Sequence, residues 1–153
     1  MFVFQTLFVY LHNELRVMEI YTSYFGNIRK LKEAGIVPIG ISLGRNRYVS
    51  CRYLPYLAPR KYMLDDKISE DEYTKMYKEH ILARVNINTL REDIRSLSDN
   101  ATKDVALLCY EKPPAFCHRH LFAEWMKEKT GYKITEFGLD GKRQPEAVQG
   151  KLF

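Results

Sequence analysis

The sequence is short of several features that would point to a particular class of protein. It has only three cysteines in 153 residues, and their spacing does not indicate a disulfide framework. We therefore expect a reducing compartment and a cytoplasmic location. No apolar run reaches the roughly 20 residues of a membrane-spanning helix, so we expect no membrane partner. The apolar stretch 1–10 lacks a basic leading region and a small-residue cleavage site, which argues against a signal peptide.

Internal repeats and low-complexity segments are also missing, and the length suits a single domain. We expect residues 1–17 to be an extension, because Met18 starts a second plausible beginning. Residues 18–138 would form the folded domain, and 139–153 a polar tail. The net charge of +5 permits an anionic partner, including nucleic acid, but does not require one. Nothing in the composition indicates an oligomeric state.

Short apolar segments alternate with segments of helical periodicity along residues 19–137. A capping box, Ser69 with Glu72, opens one helix, and Gly131 closes another. The predicted strands are Glu19–Tyr24, Ile36–Leu43, Val105–Glu111 and Lys133–Phe137. The predicted helices are Asn27–Ala34, a helix from Ser69 to about Arg84, Ile87–Leu97 and Cys117–Lys129. This alternation predicts a single-domain α/β fold, with a largely parallel sheet flanked by helices.

Reactive residue types are concentrated where a strand, a loop and a helix would meet. Cys109 and Glu111 end the third predicted strand, and Cys117, His118 and Arg119 open the next helix. Free amide hydrogens and the positive end of the helix dipole favour a thiolate or a bound anion at such a helix start. Arg119 could hold that anion through two parallel hydrogen bonds. We therefore expect a ligand site at this junction.

Other chemistries fit these residues less well. Cys109, Cys117 and His118 are zinc-ligand types, but their spacing matches no common zinc motif and a fourth ligand is not evident. A redox pair of the two cysteines is possible, although the motif is not Cys-x-x-Cys. A phosphatase loop of the Cys-x5-Arg type is absent. We expect no metal and no other cofactor.

Ligands of open α/β sheets bind beyond the carboxyl ends of the strands. This rule adds Ser42, Arg45 and Ser23 to the predicted ligand-binding residues, with Arg119 and Cys109. The predicted catalytic residues are Cys117 as nucleophile, Glu111 as general base and His118. The expected ligand is an anionic small molecule, either a nucleotide or a phosphorylated metabolite.

A second function is possible for the connection 45–62, in which basic residues alternate with tyrosines. Basic residues hold phosphates and aromatic rings stack on bases, so the mixture suits nucleic acid. On this alternative the protein would be a non-catalytic module that binds nucleic acid or another protein. The connection could also be purely structural, with tyrosines that pack on the sheet.

Several segments resemble the domain of unknown function 488 family. The most specific is the Cys109-Tyr110-Glu111 pattern followed by Cys117-His118-Arg119. The stretches 20–29, 53–59 and 134–137 are similar to that family as well, so the resemblance covers roughly Met18 to Gly138. It implies a small α/β domain in a cytoplasmic setting and supplies no reaction. The first 17 residues depart from the family pattern.

Overall fold

A computed structural model describes residues 17–138 of the chain. Five parallel strands form one sheet in the order β3-β2-β4-β1-β5. Its strands are β1 (Ile20–Tyr24), β2 (Val37–Gly40), β3 (Arg52–Tyr53), β4 (Val105–Cys109) and β5 (Thr135–Glu136). Its α-helices are α1 (Ile28–Glu33), α2 (Glu70–Met76), α3 (Ile87–Leu97) and α4 (His118–Thr130). The predicted α/β fold with a parallel sheet is confirmed.

Helices cover both faces of the sheet. Alternate residues of β4 point to opposite faces, so Val105 and Leu107 pack against α2, α3 and α4, whereas Ala106 and Leu108 pack on the side of α1. All five residues of β4 are buried. This central strand therefore fixes the position of Cys109, its last residue, at the carboxyl edge of the sheet.

The helix boundaries follow the predicted signals. Ser69 caps α2 through the Glu72 amide, and Glu72 accepts a hydrogen bond from the Ser69 amide in return. Beyond α2 the chain continues as a wider helical turn over Tyr77–Ile81. Gly131 ends α4 with φ of +73°, a left-handed conformation that a residue with a side chain rarely adopts.

The connection between β2 and α2 differs from the prediction. The sequence predicts no strand or helix over 45–67, yet this segment contains the edge strand β3 and short 3₁₀ turns at Pro55–Leu57 and Lys61–Leu64. Strand β3 has only two residues, which is too short for an alternating pattern. The chain leaves β2 toward β3 and leaves β4 toward β5, in opposite directions along the sheet. A crevice between neighbouring strands that diverge in this way is the usual ligand site of open α/β sheets.

Candidate functional site

The candidate site lies at this crevice, where β4 ends and α4 begins. Cys109 is the last residue of β4, and Cys117 is the residue that caps α4. The connecting loop carries a cis peptide bond between Pro113 and Pro114. Cys117 has an extended backbone, with φ of −154° and ψ of 143°, and its own side chain does not cap the helix. The loop thus brings the second cysteine back over the end of the strand that carries the first.

The two cysteines face each other. Their sulfur atoms are joined in a disulfide, although the two Cα atoms are 7.7 Å apart. Both side chains are buried, and both contribute to the wall of the cavity described below. Because the sulfur atoms meet, this pair can exist either as a dithiol or as a disulfide.

His118 connects Cys117 to the neighbouring strand. Its Nε2 lies 2.8 Å from the carbonyl oxygen of Ile41, just beyond β2. A carbonyl only accepts, so Nε2 carries the proton and Nδ1 has a free lone pair. That Nδ1 lies 3.8 Å from Cys117 Sγ. Burial lowers the pKa of His118 to about 4, partly offset by the Ile41 hydrogen bond and reinforced by nearby Arg119. The ring is therefore neutral at neutral pH, and its Nδ1 can accept a hydrogen bond from the Cys117 thiol.

Arg119 points to the other side of the helix start. Its side chain is fully buried, and its Nη2 lies 2.9 Å from Glu136 of β5. Its Nη1 donates to the Glu111 carbonyl oxygen at 2.6 Å and contacts Cys109 Sγ at 3.5 Å. These contacts tie the loop, the helix and the edge of the sheet together. They leave the prediction that Arg119 holds an anion without support.

Glu136 completes this buried cluster. It accepts hydrogen bonds from Thr22 at 2.5 Å, from the Arg119 guanidinium and from His120 at 3.3 Å. Burial raises the pKa of Glu136, but the hydrogen bonds from His120, Arg119 and Thr22 outweigh it and lower the pKa to about 2. The carboxylate is therefore charged at neutral pH, opposite a buried guanidinium.

The Glu111 side chain turns away from this cluster toward the cavity. It is exposed, and its Oε2 lies 2.9 Å from Cys109 Sγ. In the dithiol form the Cys109 thiol donates to this carboxylate. Glu111 therefore serves both sides of the site, with its carbonyl bound to Arg119 and its carboxylate beside the cysteines.

A cavity of about 290 Å³ opens over the two cysteines and His118. Most of its wall is apolar or aromatic, and the polar part includes two serines and three carboxylates. The lining residues are Ser42, Leu43, Pro59, Met63, Leu64, Asp65, Ile68, Ser69, Glu70, Tyr73, Cys109, Tyr110, Glu111, Phe116, Cys117 and His118. Among residues 17–138, no lysine or arginine lines this wall.

The remaining predicted ligand residues are divided between the cavity and other places. Ser42 lines the cavity, as expected. Ser23 is buried and accepts a hydrogen bond from Asn27 at 3.1 Å, outside the cavity wall. Arg45 is exposed, and its guanidinium lies 5.3 Å from the centre of the Tyr53 ring. The cavity thus brings together Ser42, Cys109, Glu111, Cys117 and His118.

In the basic-aromatic connection, part of the aromatic content is structural. The Tyr53 ring packs near Gly40, and its hydroxyl accepts from the Asn46 amide at 2.8 Å. The Tyr56 hydroxyl donates to Asp93 at 2.7 Å. Tyr48 is exposed and has basic neighbours in the sequence. Nucleic-acid binding by this segment stays a prediction.

Sequence reasoning missed two groups of this site. One is the Ile41 carbonyl, which holds His118 and carries no side-chain signal. The other is Glu136, which had no assigned role although it lies in the last predicted strand. The sequence offers only an acidic residue inside a short predicted strand, because the partners of Glu136 depend on the pairing of β5 with β1.

A family model matches residues 24–130, which is more than half of the chain. Its description is "Active DUF488-N3 subclade". The chain belongs to the DUF488 family. No curated protein and no solved structure matches the chain. The resemblance predicted from the two cysteine motifs is therefore confirmed at the level of the family. Within residues 17–138, no helix is both long and apolar enough to cross a membrane.

Proposed function

We propose that this protein is a cysteine-dependent enzyme that acts on a small organic molecule in the cavity over Cys117. The observation that carries the proposal is the alignment of Cys117, His118 and the Ile41 carbonyl. A nucleophile, a base and a group that orients the base are the general arrangement of nucleophilic catalysis. The family description as an active subclade agrees with a catalytic role.

In the proposed reaction the Cys117 thiol gives its proton to His118 Nδ1 as its sulfur attacks the substrate, so that the imidazole acts as a general base only during the attack. The sulfur bonds to an electrophilic carbon of the substrate, and the leaving group departs with the proton held by His118. Water then attacks the same carbon, the carbon–sulfur bond breaks, and Cys117 regains a proton from that water. Cys117 is the residue that precedes α4, where the positive end of the helix dipole favours a thiolate. Glu111 is exposed and lines the cavity, so its carboxylate would accept a proton from the attacking water as a general base.

The cavity wall indicates the class of ligand. Asp65, Glu70 and Glu111 repel an anion, and in the described part of the chain no lysine or arginine of the wall offsets them. The rest of the wall is largely apolar, with the rings of Tyr73 and Phe116 in edge contact, 5.4 Å between centres. A neutral or positively charged molecule with a flat apolar face suits this wall better than the anionic ligand expected from the helix start.

The decisive test is the reactivity of Cys117 in the reduced protein. Its alkylation by iodoacetamide would be followed across pH by peptide mass spectrometry. We expect a thiol pKa below the value of about 8.5 for free cysteine. His118→Gln keeps a donor for the Ile41 carbonyl but removes the base, so alkylation near neutral pH should fall at least about tenfold.

His120→Gln is the matched control. His120 lies two residues after His118 in α4, and its ring contacts Glu136 instead of Cys117. The variant should leave the rate of Cys117 unchanged. A Cys117 pKa at or above that of free cysteine, with no effect of His118→Gln, would remove the nucleophile from the proposal.

The charge preference can be tested separately with adenosine and adenosine monophosphate, which differ only in the phosphate. The lining carboxylates predict that any binding of the pair is stronger for the neutral nucleoside. Stronger binding of the phosphate, lost on Arg45→Ala, would restore the anionic ligand predicted from the sequence. Mass spectrometry of molecules that copurify with the protein would identify the natural ligand class.

A further inference from the structure

Cys109 has no part in the reaction proposed above, yet it is a second thiol residue whose sulfur meets that of Cys117. It is 1% exposed, and its sulfur is bonded to that of Cys117. A buried cysteine that was merely structural would not need to meet a second sulfur at the wall of a cavity. The third cysteine of the chain, Cys51, lies outside that wall and is free.

The surroundings of the two sulfur atoms differ. Cys117 Sγ faces His118 Nδ1 at 3.8 Å, a nitrogen that can take its proton as the sulfur attacks. Cys109 lies 2.9 Å from the Glu111 carboxylate, and a neighbouring negative charge disfavours a thiolate. Arg119 Nη1 lies 3.5 Å from Cys109 Sγ, but it donates to the Glu111 carbonyl at 2.6 Å, and the guanidinium charge is balanced by Glu136. Cys117 is thus placed to react first, and Cys109 is placed to attack it second.

We infer that Cys109 is the resolving thiol of Cys117, so that the site also carries out two-cysteine redox chemistry with a hydroperoxide. This inference uses the reactive Cys117 of the proposed function and adds a second activity to it. The same cavity that admits the organic substrate would admit the smaller peroxide. In the disulfide form Cys117 has no free thiol, so oxidation would also switch off the organic reaction.

The chemistry balances in three steps. The Cys117 thiolate attacks one oxygen of the hydroperoxide, the O–O bond breaks, and an alcohol or water leaves with the proton that Cys117 gave to His118. The Cys109 sulfur then attacks the Cys117 sulfenic acid, the S–S bond forms, and water leaves with the Cys109 proton, which Glu111 is placed to accept and pass on. Two molecules of an external thiol return the pair to the dithiol and are themselves oxidised to a disulfide.

The experiment uses the full chain with Cys51→Ser, reduced and freed of reductant. One equivalent of hydrogen peroxide should convert it to a monomer lighter by two hydrogen atoms, with a peptide that links residues 109 and 117. Both cysteines should lose their alkylation and recover it after treatment with glutathione. In the further variant Cys109→Ser, a sulfenic acid on Cys117 should accumulate and be trapped by dimedone.

Two outcomes overturn the inference. One is a Cys117 that peroxide converts to higher acids at the same rate with or without Cys109. The other is a purified chain that holds stoichiometric zinc and alkylates only after a chelator removes it. Cys109, Cys117 and His118 offer ligand atoms within 4.8 Å of one another, so this second result has a structural basis.

The two proposals fail in different ways. Fast alkylation of Cys117 that depends on His118, without a 109–117 disulfide, would leave the proposed function and remove the redox activity. A reversible 109–117 disulfide, together with a Cys117 alkylation rate that His118→Gln does not change, would support the redox activity and remove the proposed function.

Discussion

His118 and Arg119 are neighbours in the sequence, but they belong to two regions with different tasks. His118 faces the cavity with Cys117, whereas Arg119 faces the interior with Glu136. Successive helix residues diverge by about 100°, so one helix start serves both regions. In this motif, Cys117 and His118 line the cavity, and the neighbouring Arg119 forms the buried ion pair with Glu136 that fixes the start of α4.

The largest effect on the free energy of unfolding is expected from breaking the buried ion pair of Arg119 and Glu136. Arg119→Met removes a fully buried guanidinium and leaves Glu136 without its charged partner. Loss of one partner from a buried pair costs about 3–5 kcal/mol, and the Glu111 carbonyl also loses its donor. Urea unfolding of the variant would measure this as a lower free energy of unfolding.

The matched control is Arg29→Met in α1, whose partner Glu33 lies 3.6 Å away at a well-exposed surface. Such surface pairs contribute roughly 0–1 kcal/mol. If Arg119→Met and Arg29→Met reduced the stability equally, the interior cluster would not be the structural half of the site.

Acid should weaken the same ion pair, because it protonates the Glu136 carboxylate. The pKa of Glu136 is about 2 in the folded protein, below the ordinary 4.5, so its stabilisation is present above about pH 4.5 and is lost as the pH falls toward 2. The contribution at neutral pH is on the order of 3 kcal/mol. Wild type should therefore lose more stability than Glu136→Gln between about pH 6 and pH 3.

His118 also destabilises the fold in acid, because its lowered pKa of about 4 means that protonation in the folded state is costly. This loss occurs in wild type and Glu136→Gln alike, so their difference isolates Glu136. Glu124→Gln, an exposed site on α4, should follow wild type at every pH. Parallel curves for wild type and Glu136→Gln would contradict the role of this carboxylate.

Sequence patterns predicted the cavity side of the helix start better than the buried ion pair of Arg119 and Glu136. Alternation along β4 and the position of Cys117 at the start of α4 could be predicted because both depend on neighbouring residues. The partner of Arg119 could not, since Glu136 is 17 residues away and reaches it only through the pairing of β5 with β1. The burial of Arg119 depends on the same long-range pairing, and composition alone favours an exposed arginine.

A smaller effect is expected at the wall of the cavity. Ser69 caps α2 and lies in the cavity wall, so Ser69→Ala should lower the free energy of unfolding by about 1 kcal/mol. The loosened start of α2 should also weaken ligand binding. Ser96→Ala, at an exposed position inside α3, is the control and should change the stability by less than about 0.5 kcal/mol. An equal loss in both variants would mean that the cap does not support the cavity.

The smallest effect on stability is expected from Glu111→Gln, which separates the two regions within one residue. The backbone carbonyl still accepts from Arg119 at 2.6 Å, so the free energy of unfolding should change by less than about 0.5 kcal/mol. The carboxylate beside Cys109 disappears, so the Cys109 thiolate becomes more favourable and its alkylation should accelerate. Lys112→Gln, the exposed next residue, should change neither quantity. A loss of stability close to that of Arg119→Met would show that the cavity and the buried cluster act as one unit.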